Sequence, residues 1–363
     1  MALLVPFPDE LSPQDTLLVR ESPGVEGSAD LVPVLEIREG EHYLPIHTTF
    51  NLMPRPNEGW IYTTIVDRGR LFLLDADGGV ESVVGRPGDG PGEFRSTAGS
   101  GVSPNGLLPV HDPQSGRRTW VDPVSGEILD TERILPLAFY DIQYFSDGTA
   151  VVALNAFDPE LAGKPLHLVD ADFQSLEPLS EHRISFTPRD RATLRRRLDR
   201  VQADDDTFWV AHIHSYTLEE WSRSRGLLRV ARREIDWFPD HSRFTCVDPD
   251  VAPNPGLVHL QRDPEGYLLV LLAVPADTWR DAHEGRRIDT LDGQPRPDPI
   301  DRNKCWDTVV EVIDLRSGSV IARARSDILY QFFVGPRTLA ASIIEEDGML
   351  VEPYLQLVRL EWE

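Results

Sequence analysis

Two cysteines, two lysines and no long hydrophobic run mark this 363-residue chain by what it lacks. Cys246 and Cys305 alone exclude a multi-bridge disulfide scaffold and any four-cysteine zinc site. No apolar stretch reaches the roughly 20 residues of a membrane helix, so no membrane span is expected. The start, MALLVPFPDELSPQD, has no basic n-region and no A-x-A cleavage site, so it does not read as a secretory signal. Two homes stay open: the cytoplasm, or a secreted or periplasmic location for a chain that begins after a removed signal. Lys164 and Lys304 are the only lysines, so the remaining positive charge is arginine, which reads as codon usage rather than a binding signature. The net charge of −24 makes nucleic acid and anionic membrane surfaces poor partners.

What is present points to many short strands. Hydrophobic residues make up 40%, enough for a packed core, while 30 prolines and 26 glycines disfavour long helices. The densest cluster is GRPGDGPGEFRS, Gly85 to Ser96. It is not a phosphate loop, because no Lys-Ser or Lys-Thr follows it and Gly88, Gly90 and Gly92 alternate at spacing two. It reads instead as a rigid corner between two sheets. The three glycines would supply positive φ or close backbone approach, Phe94 would plug an interface, and Glu93 would accept from nearby N–H groups.

The chain also repeats itself. Apolar runs ending in an acid recur with the acid at 75, 122, 170, 314 and 361; successive copies lie 47 or 48 residues apart where none is missing. LLRVARREID (227–236) reads as a degenerate sixth copy. Ahead of each lies a tight turn and an apolar strand, starting at Asn57, Pro104, Ser146, Asp204, Pro264 and Gly335. Four antiparallel strands per unit of this length is the pattern of a β-propeller blade, and six units predict an all-β, six-bladed β-propeller. The last unit lacks a fourth strand. Leu31–Glu39 is therefore expected to pair with Tyr354–Trp362 and close the ring, leaving 1–30 as an N-terminal extension and 31–363 as one domain.

VVGRPGDGPGEFRS followed by SPNGLLPVHDPQSGRRTWVD resembles the NHL-type repeat, and more closely bacterial six-bladed propellers of uncharacterised function, often secreted or lipoprotein forms. The resemblance implies that the G-x-G-P-G-E-F corner links the outer strand of one blade to the inner strand of the next. It implies a fold, not an activity.

Loop lengths are unequal. The turns NEG, PNG, SDG and PEG are short, whereas 180–200, 214–226, 237–255 and 277–307 read as insertions that should cluster on one face over blades four and five. The stretch 188–200 reads as a short arginine-rich helix, either a solvated one paired with local acids such as Asp190 and Asp199 or one in which Arg195 and Arg197 meet an acidic ligand.

Candidate ligand-binding residues near the ring mouth are Arg95, His111, Asp112, Asp141, Asn155, Arg195, Arg197, His212 and His214. His212 and His214 share one strand face and have the most zinc-like spacing, although a packed, hydrogen-bonded pair is the commoner outcome. Calcium-dependent lactonase-like propellers place Glu, Asn and Asp around the channel, parts that Asp67, Asp141 and Asn155 could play. No G-x-S-x-G elbow or zincin motif is present. The resulting expectation is a non-enzymatic binding or scaffold propeller without a resident cofactor, presenting its loop-rich face to a protein or small-molecule ligand. The alternatives are a calcium- or zinc-dependent hydrolase or lyase at the channel mouth, and a structural module of a cell-surface assembly. Cys246 and Cys305 fall in loops of one blade on one face, where they could form a disulfide that would favour an extracytoplasmic home; the alternative is two unrelated thiols in a cytoplasmic protein.

Overall fold

The computed structural model describes residues 16–40, 43–99, 101–135, 139–154, 166–179, 196–198, 206–239, 246, 248–284, 288–291, 294–297, 302–347 and 350–362. Six small, mainly antiparallel sheets form the blades of a six-bladed β-propeller. Blade one runs through Phe50–Pro54, Trp60–Thr64, Leu71–Leu74 and Val80–Val84. Blade two begins with the short strand Ala98–Gly99 and ends with Ile128–Arg133. Blade three spans Phe139–Tyr144 to Leu176–Pro178, and blade four Arg196–Leu198 to Gly226–Arg232. Blade five contains Leu268–Pro275, whose side chains are buried along nearly its whole length, as a sheet sandwiched by neighbours requires.

The ring closes as expected. Ala29–Arg38 is the outer strand of blade six and pairs antiparallel with the last strand, from Ala29 opposite Trp362 to Arg38 opposite Tyr354. The preceding residues do more than extend the chain. Thr16–Leu18 adds a parallel strand to the edge of blade four and Arg20–Glu21 to that of blade five. Val19 and Val25 are buried in the core shared by these two blades. One N-terminal strap thus covers the outer edges of three consecutive blades.

The repeated acid is a turn cap at four of its five positions; Glu361 instead lies within the last strand, opposite Asp30. Asp75 Oδ1 accepts from the N–H groups of Asp77 and Gly79 at 3.0 and 2.8 Å. Asp122 does the same for Val124 and Ser125, Asp170 for Gln174, and Asp314 for Arg316. Each side chain satisfies donors of the turn between third and fourth strands.

Blade four corrects two readings. Residues 214–226 are not an insertion: the third strand, Thr217–Ser222, lies within them, and 227–236 supplies the fourth strand rather than a copy of the third. The third strand was hidden because its Glu219 and Glu220 break the apolar run. Ser222 stands where the others carry Asp, accepting from Ser224 and Arg225 N–H at 3.2 and 3.0 Å while donating to Asp206. The helix expected over 188–200 is also not what its end forms. Arg196–Leu198 is a strand paired with His212, Ala211 and Val210; the rest of that stretch lies outside the described residues.

Arginine side chains bridge the blades. Arg55, buried, donates to Leu74 O, Pro123 O and Val124 O at 2.7, 2.8 and 2.7 Å, joining blade one to the turn of blade two. Arg118 reaches Ala171 O of blade three at 2.6 Å, Arg223 reaches Asp147 of the same blade from blade four, and Arg337 links blade six to Asp263 of blade five. A planar guanidinium spreads five N–H donors over three nitrogens, so it reaches carbonyls on two blades at once, whereas an ammonium has three donors on a single nitrogen.

Candidate functional site

In an antiparallel blade, the loops between second and third strands emerge on the same face as the blade-to-blade links. The long insertion of blade five, 276–305, therefore rises beside the link that enters blade five. Its base is closed by Ala276 N–H donating to Cys305 O at 3.0 Å. A 3-10 helix, Trp279–His283, buries Trp279 and Ala282, and Ala282 packs with Cys246, Cys305, Trp306 and Leu329. Trp306 Nε1 donates to Asn254 O at 3.1 Å, and the Cys246–Cys305 disulfide, with Cα atoms 6.2 Å apart, ties link to insertion. The insertion also contains a hairpin, Ile288–Leu291 with Gln294–Pro297, that pairs with no blade strand among the described residues. The insertion ends at Cys305; Trp306 and Asp307 already belong to the blade's third strand.

The bridge closes 59 positions of chain and lowers the entropy of the unfolded state. Thiol titration of the denatured, unreduced protein is expected to find no free thiol. Cys246→Ala with Cys305→Ala is expected to cost up to about 4 kcal/mol in urea unfolding. Two free thiols in freshly purified protein would contradict the bond.

The histidines and carboxylates singled out from the sequence are largely occupied with internal contacts. His111 is buried, its Nε2 2.7 Å from Tyr144 Oη, and its ring packs on Tyr144 and Phe173. Burial, then the Arg118 charge, pushes it down to about 3, so the ring is neutral at ordinary pH. Asp112 is buried and accepts from Arg95 N–H at 2.9 Å and Ser115 N–H at 3.3 Å, fixing the corner to blade two. Asp141 is buried in the first strand of blade three. His212 Nε2 lies 3.4 Å from Glu219 Oε1, whose other oxygen takes Trp221 Nε1–H at 2.9 Å; His214 is also buried. Asp67 pairs with Arg70 at 3.0 Å. Among the described residues, no three His, Cys, Asp or Glu side chains come together to hold a metal. Asn155 and Arg195 lie outside the described residues, and Arg197 is described only as a strand residue opposite Ala211.

The glycine-rich segment forms a corner. Phe94 is 2% exposed and sits among Leu71, Leu73 and Val84 of blade one and Leu108 and Val110 of blade two. Gly85, with φ +81°, lies so close that a Cβ would stand 2.3 Å from the Phe94 ring; at Gly88 it would stand 2.1 Å from the Glu93 carboxyl. Glu93 accepts from Gly90 N–H at 2.7 Å and pairs with Arg86, which together hold its carboxyl below the ordinary value; Gly92 follows with φ +72°. Arg95 is turned to solvent and pairs with Asp89.

Sequence reasoning missed a buried ionic cluster between blades four and five. Glu311, fully buried, accepts from Tyr216 Oη–H at 2.5 Å, from Arg233 Nη2–H at 3.0 Å and from Arg323 Nε–H at 3.0 Å. Glu21 and Glu26 of the strap pair with Arg323, and Glu21 also with Arg233. The available signal was one acid inside the apolar run VVEVID.

No family model and no curated protein matches the chain. Solved structures do. A putative exported protein from Bacteroides fragilis has 9% identity and a TM-score of 0.57, over 95% of this chain and 99% of its own. A member of the DUF4221 family from Bacteroides vulgatus has 11% identity and a TM-score of 0.60, over 93% of this chain and 100% of its own. At such identity the likeness concerns fold alone: the chain is similar to bacterial propeller proteins and is itself a six-bladed β-propeller.

Proposed function

We propose that the protein is a non-enzymatic binding propeller that works outside the cytoplasm and presents the loop face of blades four and five to a macromolecular partner. The observation that carries this reading is the insertion of blade five. Its base is fixed by a disulfide, a buried tryptophan and a closing backbone hydrogen bond, while its hairpin pairs with no blade strand among the described residues. A hairpin on a pre-ordered base loses little entropy on docking. The disulfide supports an oxidising home, as does the likeness to a protein described as exported. The charge of −24 argues against a nucleic-acid partner. No described helix is long and apolar enough to cross a membrane.

The test is site-specific photocrosslinking in the native cells. A photoreactive residue at Thr290 or Arg296 of the hairpin should give an adduct of one discrete mass. The same probe at Asn105 or Asp147, in short turns of the opposite face, should give none. Adducts from the short turns alone, or from none of the four positions, would overturn the reading.

A further inference from the structure

The disulfide has a neighbour that a purely structural bridge does not need. His283 ends the 3-10 helix of the blade-five insertion, and its Nε2 lies 3.7 Å from Cys246 Sγ. The other residues packed around the bridge are apolar: Ala273, Ala282, Trp306 and Leu329. Cys305 is fully buried among them, and its sulfur has no imidazole beside it among the described residues. The two sulfurs thus share one apolar pocket, but only Cys246 has a base in contact. His283 is partly exposed, so a proton taken there can leave to water. A thiol in apolar surroundings holds its proton more tightly, whereas an adjacent imidazole favours the thiolate. An open bridge therefore leaves two unequal thiols.

Charged groups on the elements packed here do not offset that pairing. On the 3-10 helix, Arg280 lies over Trp279, and Asp281 and Glu284 are exposed. On the short helix Arg302–Cys305, Arg302 lies over Trp306 and Lys304 is exposed. Asp307, at the start of the third strand, pairs with Arg325. Asp248 and Asp327, on the flanking links, are exposed. Water and salt screen such exposed charges.

We infer that Cys246 is the reactive half of a redox-responsive tie. In the reduced protein its thiol proton passes to His283 Nε2. The Cys246 thiolate attacks a small disulfide such as oxidised glutathione. A bond forms between Cys246 Sγ and one glutathione sulfur, the glutathione disulfide breaks, and the departing thiolate takes the proton from His283. Cys305 Sγ then attacks Cys246 Sγ and expels the second glutathione, which leaves with the Cys305 proton. Two protein thiols are oxidised to the bridge and one disulfide is reduced to two thiols. Run backwards with a thiol reductant, the same steps open the bridge and free the insertion from the link that enters blade five. This chemistry lies in the base of the insertion and does not depend on whether the hairpin docks a partner.

Site-resolved alkylation of the intact, fully reduced chain tests it. Iodoacetamide is applied under native conditions at pH 6 and pH 9, and mass spectrometry follows each cysteine. Cys246 is expected to react at least ten-fold faster than Cys305 at pH 6. Oxidised glutathione is expected to leave its first mixed disulfide on Cys246. His283→Gln is expected to slow Cys246 at least ten-fold at pH 6 but less than three-fold at pH 9, where thiolate forms without a base. Should His283→Gln fail to fold in thermal unfolding, the comparison of the two cysteines in the unchanged chain decides alone. Cys305 reacting as fast as Cys246, neither reacting in the native protein, or a His283→Gln effect that is absent, equal at both pH values or shared by both cysteines would overturn the inference.

Discussion

Deletion of residues 1–40 is expected to abolish cooperative unfolding of the whole protein, not merely to shorten it. The deletion removes the outer strand of blade six and the added strands of blades four and five. It also strips Val19, Val25 and Ile37 from the core, where they are 5%, 2% and 1% exposed. At about 2 kcal/mol for each buried aliphatic side chain, that is about 6 kcal/mol before any strand hydrogen bond is counted. A whole domain is stable by only about 5–15 kcal/mol. The last strand, Leu350–Trp362, would become a long unpaired edge. Circular dichroism during urea unfolding checks the outcome. A truncated protein with the midpoint of the intact one would contradict it.

The second large effect is expected at Glu311. Its carboxylate is fully buried and shared by Arg233 and Arg323, whose side chains are 1% and 7% exposed. Glu311→Ala leaves two buried cations facing a gap, with the half-exposed Glu21 to answer both and the exposed Glu26 to answer Arg323. The expected loss is about 3–5 kcal/mol, the range for breaking a buried pair from one side. Tyr216, whose phenol burial and the Glu311 charge hold well above its ordinary value, also loses its acceptor. Glu21→Gln is expected to cost at most about 1 kcal/mol, because its carboxyl is open to solvent. A hydrogen bond from Arg323 is the largest influence holding the Glu21 carboxyl below its ordinary 4.5. The folded state therefore keeps this contribution fully above about pH 4.5 and loses it as pH falls through the lowered value. Urea midpoints of both variants across pH 3–7 check the ranking. A Glu311→Ala loss no larger than that of Glu21→Gln would contradict the account.

The fold was largely legible because each blade repeats a local pattern. A turn, an apolar strand and a capping acid recur within one stretch of sequence, and Asp75, Asp122, Asp170 and Asp314 reveal the spacing before any tertiary contact is known. Blade four escaped for the same reason in reverse. Its cap is Ser222 and its third strand buries Glu219 beside His212 and Trp221, a pairing that exists only once the strands are side by side. The site was less legible. Strand ends could be assigned to a face, but not the partners waiting there. His111 meets Tyr144 of the next blade, and Asp112 meets the backbone of the corner. The strap could not be read either. Arg20 and Glu21 pair with Ser319 and Val320, almost three hundred positions away, and a two-residue strand carries no periodicity. Likewise, the preference for arginine gains a structural use only when Arg55, Arg118, Arg223 and Arg337 are seen crossing between blades.

The central claim is that the N-terminal segment is an integral part of one closed ring. Native-state hydrogen exchange on the intact protein tests it most directly. The amides of Val19 and Ser22, bonded to Arg232 O and Val320 O, and those paired along Ala29–Arg38 should exchange only through global unfolding, with the same free energy as the centre of Leu268–Pro275. Exchange of the strap and closing strand within minutes, while blade five stays protected, would show a ring that holds together without them and would contradict the account.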